Sequence, residues 1–109
     1  MKLPNAEDAI VEISTLTGYC LNPAHFRGRN KARIFHSTLQ LIVDNAVELQ
    51  LALLQAAREQ NAKEVGSDMY GTRYVVDFEM TRNGRTAAIR SFWILPENKP
   101  PRWLTCYVL

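Results

Sequence analysis

Between Tyr19 and Phe35 the chain places a histidine and four cations at every second position: His25, Arg27, Arg29, Lys31 and Arg33, with His36 just beyond. No acidic residue lies between Glu12 and Asp44. A histidine takes and gives a proton near neutral pH. Lysine and arginine hold a phosphate and neutralise the pentacovalent species formed when a ribose 2′-hydroxyl attacks phosphorus. That division of labour is what a metal-free ribonuclease requires. Residue chemistry alone leaves it beside a plainer reading, a solvated loop and helix face, which is what most charge runs are.

Other residues add less. Strict alternation puts Thr105 and Tyr107 on the same side of a strand as Trp103. A hydroxyl there can contact a phosphate or a base, and Tyr107 or Trp103 can stack one, although buried core is the plainer fate of both aromatics. Asp77 and Glu79, with Arg73 and Arg85 nearby, read as cross-strand ion pairs on a solvated surface rather than paired catalytic carboxylates. Cys20 and Cys106 form no CxxC pair, and two histidines are too few to argue for zinc. We expect no metal and no cofactor, and two reduced, half-buried thiols. Cysteine–histidine catalysis would need one of them to meet His25.

These residues need elements to hold them. Asn22-Pro23 forces a turn, and His25 to Gly28 reads as an exposed loop. Upstream, Ser14 to Tyr19 reads as a capped turn of helix stopped by Gly18. Ala32, Phe35, Leu39 and Ile42 then follow the apolar stripe of an amphipathic helix, with Arg29, Arg33 and His36 on another face. Asp44-Asn45 caps a second helix from Ala46 to about Gln60, too apolar to be mostly exposed. Tyr74 to Met80 alternates with period two, Asn83-Gly84 signals a type I′ hairpin, and Arg85 to Leu95 returns. The proline-rich run Pro96 to Pro101 breaks the sheet before a last strand, Trp103 to Val108. Helices first and strands after predict an α+β fold: two or three N-terminal helices packed on a C-terminal antiparallel sheet of three to four strands.

The 109 residues suit a single domain spanning 1–109, with an ordinary globular balance of 47% hydrophobic and 22% charged residues. No apolar run reaches the roughly 20 residues of a membrane helix. The acidic start, without a signal-peptide core, points to a cytoplasmic site of action. The net charge of +2 hides a division: residues 1–12 carry −2, 13–43 carry +4, 44–81 carry −4 and 82–109 carry +4. A fold that joins the two basic blocks would present a positive face to phosphate.

Two longer patterns carry a resemblance. Tyr19-x-Leu21-Asn22-Pro23-x-His25-x-x-Gly28-x-x-Lys31-Ala32-x-x-Phe35 resembles the opening of a bacterial family of uncharacterised small domains. Tyr70-Gly71-x-x-Tyr74-Val75-Val76-Asp77, Asn83-Gly84-Arg85, Trp93-Ile94 and Arg102-x-Leu104-Thr105-x-Tyr107-Val108 are similar to its second half. Domains of this layout resemble the toxin nucleases of polymorphic and contact-dependent systems, grouped with barnase, the colicin ribonucleases and RelE. The resemblance implies His25 as general acid/base, Lys31 as the phosphate and transition-state cation, Arg90 as a further charge from the sheet, and Thr105 as a positioning group. Arg27, Arg29, Arg33 and Tyr107 would bind RNA around them. It also implies a cognate immunity or antitoxin protein with an acidic surface. The expected function is a metal-independent ribonuclease-like toxin acting on RNA. The alternatives are a non-catalytic RNA- or protein-binding module of a toxin/antitoxin-type pair, or an oligomerisation domain, for instance a homodimer, without nucleic-acid affinity.

Overall fold

A computed structural model describes all residues, 1–109. Three helical segments come first and four antiparallel strands follow, as the α+β reading expects. The first, α1, runs Ile13–Thr15 and continues without a break into a π-helical turn, Leu16–Cys20. The others are α2, Arg29–Leu39, and α3, Ala46–Glu59. The strands β1 (Ala62–Asp68), β2 (Gly71–Arg82), β3 (Arg85–Leu95) and β4 (Arg102–Val108) form a simple meander in the order β1-β2-β3-β4. No helix is long and apolar enough to cross a membrane.

The period-two pattern of β2 and β3 gives the sheet two unlike faces. Tyr74, Val76 and Phe78 of β2 and Ala87, Ile89, Ser91 and Trp93 of β3 are buried beneath the helices. Asp77 and Glu79 point away and are exposed. Asn83 and Gly84 turn the β2–β3 hairpin at φ 53° and 74°, the positive pair that a type I′ turn demands. Ser91, buried in the apolar layer, is satisfied twice: its Oγ donates to the Val76 carbonyl (2.6 Å) and accepts from Trp93 Nε1 (2.9 Å).

The helices cover this inner face, α3 over β2 and α2 over β3 and β4. Ala32, Phe35 and Leu39 form the buried stripe of α2. Ile42, expected on the same stripe, lies beyond the helix and is 43% exposed, because Gln40 at φ 56° ends α2 in a left-handed cap. The Asn45 side chain accepts from the Ile42 N–H (3.0 Å), which leads the chain into α3. Arg82 clamps this junction from the sheet. Its guanidinium donates to the carbonyls of Leu39 (3.1 Å) and Gln40 (2.9 Å) and forks onto Glu48 of α3, so it fills the otherwise unpaired C-terminal carbonyls of α2.

Three expectations need correcting. Gly18 does not stop the first helix. Burial of Leu16 and Cys20 carries the chain through a π turn, closed by Leu21 N–H on the Leu16 carbonyl at 2.9 Å. Asp77 pairs with neither Arg73 nor Arg85; it faces Arg90, while Arg73 binds Asp68. The thiols of Cys20 and Cys106 are fully buried, not half-buried.

Candidate functional site

The cations of α2 separate by helical geometry. At 100° per residue, Arg29, Arg33 and His36 lie along one flank and Lys31 lies about 160° away from Arg29 on the other. Lys31 therefore reaches β4, the edge strand of the sheet, whose start is bridged by Ile10. Its Nζ donates to Thr105 Oγ1 at 3.0 Å and to Tyr19 Oη at 3.2 Å. It also sits 4.8 Å above the Tyr19 ring and 5.9 Å from the Tyr107 ring, close enough for cation–π attraction.

Thr105 reaches Lys31 because β4 is bulged. The register slips between Phe92 and Trp93, so Leu104 is an extra residue. Trp103 therefore faces the core, 3% exposed, while Thr105 and Tyr107 face the outer side and the edge. This overturns the strict alternation that put all three together. Tyr107 stacks on Phe92 across the outer face, centroids 5.8 Å apart.

The π turn supplies the next members. It places Tyr19 against Lys31 and Cys20 Sγ 3.7 Å from Thr105 Oγ1. Gly28 lets the following loop close in, since a Cβ there would stand 2.2 Å from the Tyr19 carbonyl oxygen. The His25 ring packs edge-on to Tyr19 at 4.9 Å. Its Nδ1 accepts the N–H groups of Arg27 and Gly28, both at 3.0 Å. An Nδ1 that accepts two donors carries no proton, so the neutral ring bears its proton on Nε2. In this arrangement His25 presents a hydrogen-bond donor, and its basic nitrogen is occupied.

Two forces compete at Cys20. The Cys106 carbonyl, 3.8 Å away, favours the thiol. Hydrogen bonding from the Cys106 side chain, aided by the Cys106 backbone, the Thr105 hydroxyl and the Lys31 charge, favours the thiolate and outweighs desolvation. The Cys20 pKa falls to about 6. Burial and the neighbouring Cys20 push Cys106 the other way, well above the usual thiol value.

The remaining expected residues are dispersed. Arg90 lies opposite Tyr107 on the outer face, but its guanidinium is forked onto Asp77 by two bonds of 2.9 Å. That pairing raises the Arg90 pKa further and depresses that of Asp77. Arg27 is exposed in the loop, Arg29 lies over the Phe26 ring at 5.3 Å, and Arg33 binds the neutral Asn30 side chain. The structure thus gathers Lys31, Thr105, Tyr107 and the Tyr19–His25 pair, sets a neutralised Arg90 beside them, and puts Arg29 and Arg33 elsewhere. Tyr19 and Cys20 were missed as site residues. No group of three or more His, Cys, Asp or Glu side chains is placed to hold a metal ion.

A family model described as a domain of unknown function, DUF6883, matches residues 2–109, and the chain belongs to that family. No curated protein matches it. Its fold is shared with a chain of a contact-dependent growth inhibition toxin–immunity protein complex from Klebsiella pneumoniae 342. The TM-score is 0.73 over 92% of this chain and 99% of that one, at 13% identity.

Proposed function

We propose that this member of the DUF6883 family is a toxin domain that cleaves RNA without a metal, at the β4 edge. The observation that carries the reading is the Lys31 ammonium held between Tyr19 Oη and Thr105 Oγ1. Those contacts fix a cation at the edge strand beside the stacked pair Phe92 and Tyr107, where a base can stack while its phosphate meets the charge. The 2′-oxygen bonds to phosphorus as the bond to the 5′-oxygen breaks, with water taking the 2′ proton and returning one to the leaving 5′-oxygen, and Lys31 neutralises the charge that grows on the phosphate oxygens. Thr105 orients the lysine, and its hydroxyl donates to the substrate. His25 adds an Nε2–H donor. The fold-sharing complex contains a toxin and an immunity protein, and on that likeness an acidic protein partner covers the cations until the toxin is released.

The test is cleavage of single-stranded RNA by the purified protein in the presence of a chelator, alongside growth after induced expression. Cleavage and growth arrest that both vanish in Lys31→Met support the reading. Intact RNA with the wild-type protein rejects it. One observation favours a second reading: with Nδ1 of His25 occupied and the Cys20 thiol fully buried, no exposed base stands at the site, as in a module that binds RNA without cutting. The same assay separates the two, because that module returns its bound RNA intact.

A further inference from the structure

We propose that the groove on the far flank of α2 is a second nucleotide site, which takes one nucleotide of a single-stranded RNA. It extends the RNA-cleavage reading, and so rests on it, to a part of the surface that the Lys31 site does not use. A cavity of about 650 Å³ opens there, within the ordinary range for a small-ligand site. Its wall is apolar: Leu21, Ala32 and Leu41 are buried, and Ile42 is 43% exposed. Its rim is cationic, with Arg29, Arg33 and His36 along one row of the helix.

These charges are free to act. The three ion pairs of the molecule use Arg73, Arg82 and Arg90, not Arg29 or Arg33. Asp44 is the only carboxylate on the rim. Two guanidinium groups without an acidic partner beside an apolar wall match a ligand with a phosphate at one end and a flat apolar body at the other. An acidic amphipathic peptide offers similar chemistry. The feature that favours a nucleotide is Phe26, 79% exposed with Arg29 lying over its ring. Such aromatic–guanidinium surfaces hold unstacked bases.

The two sites belong to one path. They lie on opposite flanks of a helix about 10 Å across, and the loop before it runs from Pro23, which lines the groove, to His25, which packs on Tyr19 beside Lys31. A strand held by Lys31 at its reactive phosphate passes over this loop and sets a neighbouring nucleotide in the groove. Arg29 and Arg33 take its phosphate and Leu41 and Ile42 meet its base, while the base before it, on the loop outside the groove, stacks on Phe26 beside Arg29.

The test uses a 2′-O-methyl RNA octamer, which cannot be cut by its own 2′-hydroxyl, and 5′-AMP as a minimal probe. Fluorescence anisotropy at several salt concentrations compares the wild type with Arg29→Ala/Arg33→Ala and Ile42→Glu. Removing the two arginines weakens binding at least ~10-fold and flattens the salt slope by about 1.4, the single-strand value for two phosphate contacts. Ile42→Glu weakens binding without removing a cation. In methyl NMR, 5′-AMP shifts Leu41 and Ile42 in the wild type and in Lys31→Met alike. The proposal is overturned if the double variant keeps wild-type affinity and slope, or if Leu41 and Ile42 respond to an acidic peptide but not to 5′-AMP. Cleavage with a groove indifferent to nucleotide sinks this inference alone. Groove binding without cleavage sinks only the ribonuclease reading.

Discussion

Replacing His25 separates two jobs that one ring performs. Its Nδ1 holds the loop by accepting two N–H groups at 3.0 Å, one from the buried Gly28, and its Nε2 faces outward as a donor. His25→Ala removes both. The stranded Gly28 N–H costs about 1–3 kcal/mol of stability, the usual penalty for a buried donor left unpaired. His25→Asn returns an oxygen to the same place in an Asx-type turn and recovers most of that loss, but it lacks the distal donor. His25→Gln keeps a nitrogen donor near the position of Nε2. If the histidine acts as a fixed donor, single-turnover cleavage of a fluorogenic RNA falls about 10²–10³-fold in the alanine and asparagine variants. The glutamine variant then stays within roughly 10-fold of the wild type, because losing proton transfer itself costs 10²–10⁴. Urea denaturation on the same samples separates folding from chemistry. A glutamine variant as inactive as alanine, with the pH–rate slope of the wild type abolished, refutes the donor role and restores His25 as the acid/base.

Other perturbations test the surroundings. Asp77→Asn releases Arg90 from its fork; the pair is 39% and 45% exposed, so stability changes little. RNA binding should tighten and its salt slope steepen by about 0.7; an unchanged slope places Arg90 off the RNA path. Arg82→Met unpairs two carbonyls and Glu48 at once. It should cost about 3 kcal/mol, a Tm drop of roughly 12–20 °C, and Arg82→Lys should not restore the fork; a loss under ~1 kcal/mol would mean that water replaces the clamp. Cys20 has a folded pKa of about 6 against an ordinary 9.0, so the unfolded chain binds more protons between those values. Stability therefore rises with pH from about 6 to 9, by no more than about 4 kcal/mol, and is lost as pH falls through 6. Denaturation of the wild type and Cys20→Ser across that range reads the difference, and parallel curves contradict a buried thiolate.

Much of the fold was legible because local patterns and global packing agree. Alternation in β2, the Asn83-Gly84 turn and the apolar helix after Asn45 each point to one structure. The Asp77–Arg90 pair was missed in favour of Arg73 and Arg85, although a two-residue turn pairs Arg82 with Arg85 and counting back from it reaches Asp77 opposite Arg90. The site was harder. The separation of Lys31 from Arg29 and Arg33 follows from the helical period, but its partners depend on two irregularities without a sequence signature. Leu104 is bulged although nothing in Trp103-Leu104-Thr105 marks it, and the π turn at Leu16–Cys20 runs through a glycine that reads as a stop. Both are imposed by packing, one by Trp103 against Trp93 and the other by Leu16 and Cys20 in the core.

The contact of Lys31 with Thr105 joins positions 74 residues apart, and that of Cys20 with Thr105 spans 85. In chain order β4 comes after every other element. A chain still on the ribosome therefore carries the histidine and the lysine long before it carries Thr105 and Tyr107. Until β4 docks, the cations have no edge to lean on. On the function proposed above, the domain stays inert until Thr105 has been made, and a stop codon anywhere before Thr105 disarms it as completely as the loss of Lys31.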